Sequence, residues 1–265
     1  MKKAGNGLRL YLHYVSINLR SAMQHKASFL FMIMGSLLTS FTTFLGIFFL
    51  FERFHEVNGY TYHDVLLCFS IVMMQFSLAE MVARGFDTFA GMVKRGEFDR
   101  VLLRPRSEIL QVLGNRFEFS RIGRMIQAII IFAYGISASG VDWNWTRAAV
   151  AVMMILGGMA LFSGLFLAYA SLCFFTLEGL EFMNVFTDGG REYGKYPLDV
   201  YGRGIQRFST FVIPYALVQY YPLQYLIGKS DNPVVMLYPL GAGVFLLACY
   251  ALWRYGVAHY QSSGS

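Results

Sequence analysis

A chain of 265 residues of which 56% are hydrophobic and only 14% charged is not an ordinary soluble domain, which carries roughly 25% charged residues. Its net charge of +6 needs no nucleic-acid partner, because basic loops facing an anionic membrane leaflet account for it. A bilayer core takes about 20 apolar residues in one helix, and uncharged runs of that order occur at 27–51, 148–177, 208–228 and 232–253.

Taken in chain order, the first element is an amphipathic helix over 1–26. Leu8, Tyr11, Leu12, Val15 and Leu19 recur at helical spacing, with Arg9, His13, Ser16 and Arg20 on the other side, a pattern suited to lying on a membrane interface or to a solvated terminal helix. The first span starts near residue 27 without a small-residue cleavage site, which predicts a retained span rather than a cleaved leader. Within it Gly35, Thr39, Thr42 and Gly46 share one helical face, either a packing seam or the border of a pathway or dimer interface. A second span at 65–83 carries Gln75 as a further candidate for a pathway lining and Glu80 near one end.

The stretch 84–121 is too charged to cross lipid and too apolar to be a loose linker. Phe86, Phe89, Met92, Val93, Phe98, Val101, Leu102 and Leu103 predict short amphipathic helices, broken at Gly96 and at Arg104–Pro105, since proline disfavours helix at the residue before it. Their apolar side needs a cover, either from the ends of the spans or from another protein.

A third span follows at about 122–141 and a fourth at 148–177, the latter with a small-residue seam of Ala160, Gly164 and Ala168. Between spans four and five, residues 189–196 (GGREYGKY) imitate a phosphate-cradling loop. Tyr196 stands where a magnesium-liganding hydroxyl belongs, and no buried strand precedes it. The same connection holds Glu178, Glu181, Asp188, Glu192 and Asp199 beside Arg191, Lys195, Arg203 and Arg207, and reads as a folded loop with internal ion pairs. In the fifth region Pro214 and Pro222 interrupt any straight helix, so a span ending near Gln219 with a re-entrant piece to Gly228 is expected. Tyr215 and Gln219 are pathway candidates there, an aromatic interfacial belt being the alternative for the tyrosines.

Of the 22 Lys and Arg residues, only Arg53, Arg147 and Lys229 fall on alternate connections, so the positive-inside rule places both termini in the cytoplasm. Cys68, Cys173 and Cys249 lie inside spans and read as small buried apolar residues. No metal-ligand spacing, carboxylate pair or nucleophile triad emerges, so no catalytic, cofactor-binding or metal residue is assigned. The 262–265 tail is set aside.

The stretch Gly96-Glu97-Phe98-Asp99-Arg100-Val101-Leu102-Leu103-Arg104-Pro105-Arg106-Ser107 resembles the segment after the second span in permeases of the type-2 ABC exporter family. The six-span layout, the basic amphipathic N-terminus, Ile213-Pro214 and Tyr221-Pro222-Leu223 resemble its bacterial branch of small permeases. The resemblance implies an all-α polytopic fold: six transmembrane helices, an N-terminal interfacial helix over 1–26 and a cytoplasmic coupling helix. In this layout spans one and two fill 27–83, the coupling region 84–121, spans three and four 122–176, a cytoplasmic connection 177–207, and spans five and six 208–258. It further implies that Lys94, Arg95, Glu97, Phe98, Asp99, Leu102, Leu103, Arg104 and Pro105 couple to cytosolic ABC ATPase subunits. ATP and magnesium would be bound by that partner rather than by this chain. A second permease, identical or related, membrane lipid and a bacterial cytoplasmic-membrane location are likewise implied. The competing function class is a membrane-embedded enzyme or scaffold not coupled to an ATPase.

Overall fold

The computed structural model describes residues 2–176 and 181–261; the side chains of residues 2–6 and Leu8 lie outside the description, as do Glu178 and the 262–265 tail. Regular structure among the described residues is helical. In chain order the α-helices are α1 (Lys2–Ala22), α2 (Lys26–Arg53), α3 (Tyr62–Asp87), α4 (Phe89–Lys94), α5 (Glu97–Leu102), α6 (Glu108–Asn115), α7 (Arg121–Ala138), α8 (Trp145–Thr176), α9 (Asn184–Tyr193), α10 (Arg203–Phe211), α11 (Tyr215–Val218), α12 (Tyr220–Leu226) and α13 (Gly241–Ala258).

Five helical stretches among the described residues are long and apolar enough to cross a membrane: 9–53, 62–94, 121–138, 145–176 and 233–258. The expected fifth span over 208–228 is not one helix. Pro214 and the non-helical Gln219 (φ −130°, ψ −64°) cut it into α10, α11 and α12, because proline supplies no backbone donor and Gln219 leaves the helical basin.

Helix α3 forms the axis of the bundle. Its capping box, in which Thr61 and Asp64 satisfy each other's backbone N–H, fixes its start, and residues from Val65 to Gln75 are buried without interruption. Around it pack α7, α8 and, through α8, α13. Small residues set the close approaches, as the expected seam in α8 requires. A Cβ on Gly164 would sit 3.1 Å from the Phe245 ring, and one on Gly85 only 2.0 Å from the Val112 carbonyl oxygen, so α3 and α6 touch backbone to backbone.

At one end of the bundle α1 lies across α6, with Asn18 Nδ2 donating to the Gly114 carbonyl at 3.1 Å and Tyr14 seated on Gly114. Tyr11, Val15 and Leu19 of the anticipated apolar stripe are half-buried, while Leu12 stays exposed. At the opposite end the α2–α3 connection turns through Asn58 and Gly59, both at positive φ, where an Asn-Gly pair is favoured. That turn presents Tyr60 to the rest of the fold.

Residues 184–199, within the connection expected as a folded loop with internal ion pairs, do carry such pairs, Arg191 with Asp188 and Glu192 and Lys195 with Glu192, and they also pack along α3. The Arg191 guanidinium stacks 4.9 Å from the Phe76 ring centroid, Gly194 O accepts from the Cys68 thiol at 3.5 Å, and Asp199 accepts from the Tyr60 hydroxyl at 2.8 Å. These partners progress from Phe76 in the middle of α3 back past its start at Tyr62, about 21 Å of helical rise, to the turn before it. The polar segment therefore runs alongside α3 through half or more of the bundle. Buried glycine faces make this approach possible: a Cβ on Gly190 or Gly194 would collide with Tyr215 or Gln219.

Candidate functional site

Two constellations emerge, one at the α1 end and one inside the bundle. The first is the α4–α6 region. The expected break at Gly96 is present, with Gly96 in the left-handed region (φ 64°) that glycine adopts without strain, and α5 stops just before Arg104–Pro105. The question of what covers the apolar side resolves within the chain. Phe98 is fully buried and packs edge-on against Phe89 at 5.1 Å and Tyr260 at 5.2 Å, and beside Phe174 at 5.3 Å. Trp253, also fully buried, completes the cluster. Phe98, expected as an anchor for a partner, instead cements α5 to the ends of α8 and α13. Exposed apolar surface remains at Leu102 (42%) and Leu103 (85%), followed by exposed Arg104, Pro105 and Arg106. Arg95 and Glu97 pair with each other through two hydrogen bonds of 2.8 and 3.3 Å.

The second constellation centres on Glu80. This carboxylate, 2% exposed, receives Arg124 at 2.8 Å, Arg121 at 3.0 Å and Arg84 at 3.4 Å, while Arg84 also holds Asp87 at 3.0 Å. Spacing explains the convergence: Glu80 and Arg84 are one turn apart on α3, and Arg121 and Arg124 one turn apart on α7. Beside it a narrow cleft of about 80 Å³ is lined by Thr39, Ser40 and Thr43 of α2, Met73 of α3, Arg124, and Arg191, Glu192 and Lys195 at the end of α9. Glu192 bridges Arg191 (2.8 Å) and Lys195, and Arg191 also reaches Asp188 at 3.3 Å. At the far end of the bundle, burial first and then the Asp199 carboxylate hold the Tyr60 phenol above its usual pKa, which keeps it a proton donor to Asp199.

The pathway candidates separate into two groups. Gln75, Tyr215 and Gln219 come together but are almost wholly buried, and their polar atoms serve backbone rather than an open path. Gln75 Nε2 donates to Met154 O at 2.9 Å and Val218 O at 3.4 Å, Tyr215 donates to Phe186 O, and Gln219 donates to Gly194 O and to the Cys68 sulfur. Of these acceptors, Val218 O and Gly194 O lie at the ends of α11 and α9, where carbonyls lack an intrahelical partner, whereas Met154 O and Phe186 O lie within α8 and α9. Gly158 admits Gln75, since a Cβ there would lie 2.1 Å from its Cδ. Gly35, Thr39 and Thr42 lie elsewhere, on an exposed face of α2, with both hydroxyls returned to their own helix. Only Thr39 of that face borders the cleft. Arg124 and Ser40 were not singled out by sequence reasoning, and Arg191 and Lys195 only as members of internal ion pairs, which they form; the other available signal was the helical spacing of Arg121 and Arg124.

The imitation phosphate loop at 189–196 spans the C-terminal end of α9, whereas phosphate cradles need a helix N-terminus. Its Lys195 is buried against Glu192.

No curated protein and no solved structure matches the chain. The profile of the ABC-2 family transporter proteins matches residues 37–264, a stretch that takes in the five apolar helical stretches apart from the start of the first, the α4–α6 region and the buried cleft. With long apolar helices and a match over most of its length, the chain belongs to the ABC-2 transporter family, as a membrane-spanning permease of an ABC transporter.

Proposed function

We propose that this permease moves its substrate outward across a bacterial cytoplasmic membrane by alternating access, driven by a separate ATPase whose motion enters through the α4–α6 region. Residues 94–106 form the coupling element, with ATP and magnesium held by the partner, and a second permease, identical or related, completes the path. Termini and coupling element face the cytoplasm in this reading, in keeping with the basic residues at the α1 end. Helix α1 rests at the lipid interface beside them.

The observation that carries the proposal is the division of labour within α5. Phe98 is buried against α8 and α13 and Val101 is buried too, while Leu102 and Leu103 emerge beside Arg104–Pro105–Arg106. A protrusion so anchored transmits force to the spans. Apolar side chains at the centre of such a contact supply most of its energy. Leu103→Asp should therefore weaken association with the ATPase roughly tenfold or more, read as copurification and as substrate-stimulated ATP hydrolysis in vesicles, with membrane insertion retained. Wild-type copurification by this variant would remove residues 94–106 from the contact. Phe98→Ala acts differently: it opens a cavity costing about 3–5 kcal/mol and lowers the stability of the permease itself.

A further inference from the structure

We propose that the cleft between α2, α3, α7 and the end of α9 binds an anionic headgroup, a phosphate or carboxylate, carried by the transported molecule or by a membrane lipid. The inference rests on the permease reading for what is transported, but not for the binding itself.

Charge is the first observation. Two ion-pair networks meet at the cleft: Arg84, Arg121 and Arg124 share only two carboxylates, Glu80 and Asp87, while Arg191 and Lys195 are paired with Asp188 and Glu192, so the surplus cation belongs to the first network, whose Arg124 lines the cleft. The surplus cation sits in a bundle where an uncompensated charge is costly, and an added anion balances the account. Three of the five cations, Arg124, Arg191 and Lys195, line the cleft, and basic pockets between membrane helices are suited to anionic headgroups.

A second, independent observation is Ser40. Its side chain lines the cleft and is 5% exposed, yet its Oγ has no hydrogen-bond partner. Buried hydroxyls are ordinarily paired, and an anion oxygen in the cleft would accept from it. The third is Glu192, whose side chain is 53% exposed although the Lys195 side chain it holds is only 8% exposed. Glu192 occupies Arg191 and Lys195 from the exposed side of the cleft, as an internal stand-in that an incoming anion displaces.

The test uses the full-length permease in phosphatidylcholine nanodiscs, with fluorescent phosphatidylglycerol as probe, fluorescent phosphatidylcholine as control and inorganic phosphate as competitor. Phosphatidylglycerol should bind in preference to phosphatidylcholine. Lys195→Gln should weaken its binding about tenfold, the effect of losing one charged hydrogen bond, whereas Glu192→Gln should strengthen it by removing the competing carboxylate. Ser40→Ala, which changes no charge, should weaken it severalfold. Competition by millimolar phosphate assigns the site to a soluble anion, and its absence assigns it to a lipid-borne headgroup; both support an anion site. Equal binding of the two lipids, or weakening by Glu192→Gln in a protein with unchanged unfolding temperature, would overturn it. No ATPase is needed, so loss of ATPase copurification counts against the permease reading and leaves this result unaffected.

Discussion

Glu80 shows how differently one side chain reads in the sequence and in the fold. In sequence it is a lone acid near the end of an apolar run; in the structure it is the shared acceptor of Arg84, Arg121 and Arg124. Breaking a buried pair by removing one partner costs about 3–5 kcal/mol, because the remaining charge is stranded. Here three guanidinium groups lose their common partner. Glu80→Gln should lower the unfolding temperature of the detergent-purified protein markedly, and Arg124→Gln should partly restore it in the double variant. An unchanged midpoint for Glu80→Gln would show that the arginines find solvent or lipid phosphate instead. Gln75 teaches the complementary lesson. Its polarity inside an apolar span was legible, but its role was not, since its acceptors lie 79 and 143 residues away on Met154 and Val218.

At the scale of elements, the short helices after α3 were readable from Gly96 and Pro105, whose backbone chemistry is local. The destination of their apolar faces was not, because Phe174, Trp253 and Tyr260 arrive from distant parts of the chain. The α3–α6 contact carries a prediction of its own. Gly85→Ala would put a methyl group 2.0 Å from the Val112 carbonyl oxygen, so α6 must shift, at a cost of about 1–3 kcal/mol. Since α6 also carries α1, the displacement should reduce substrate-stimulated ATP hydrolysis in vesicles while the protein still inserts. Gly35→Ala, whose added methyl meets nothing within 4 Å, is the matched control and should behave as wild type. Equal behaviour of the two variants would mean that the α3–α6 contact is free to slide.

For the whole molecule, Asn58, Asn144 and Ser230 belong to connections at the Tyr60 end, where Lys229 Nζ donates to Gly59 O at 2.7 Å, while Ser107 lies at the α1 end. Cysteines placed at the first three positions should react with an impermeant thiol reagent on intact cells, and one at Ser107 only after permeabilisation. The native Cys68, Cys173 and Cys249 are buried and should stay silent. Reversed labelling would invert the orientation. Arg191, Lys195, Arg203 and Arg207 entered the charge count as residues of the connection between spans four and five. The first two lie against the bundle interior instead, yet setting all four aside leaves the bias with the same sign.

The sequence by itself determined the membrane class, the approximate course of the five long apolar helical stretches and the breaks around α5, because each depends on composition or on the backbone preferences of neighbouring residues. Pro214 likewise announced that 208–228 would not be one straight helix. Only the tertiary structure decided that residues 184–199 climb beside α3 and that Phe98 faces inward. It also decided that Gln75 and Gln219 donate to backbone carbonyls of distant segments, and that Arg124, Arg191 and Lys195 meet at one cleft. Those outcomes depend on which distant helices approach closely enough to bury a charge or satisfy a carbonyl, and a hydropathy pattern, which records the apolar faces but not their partners, carries no information about that choice.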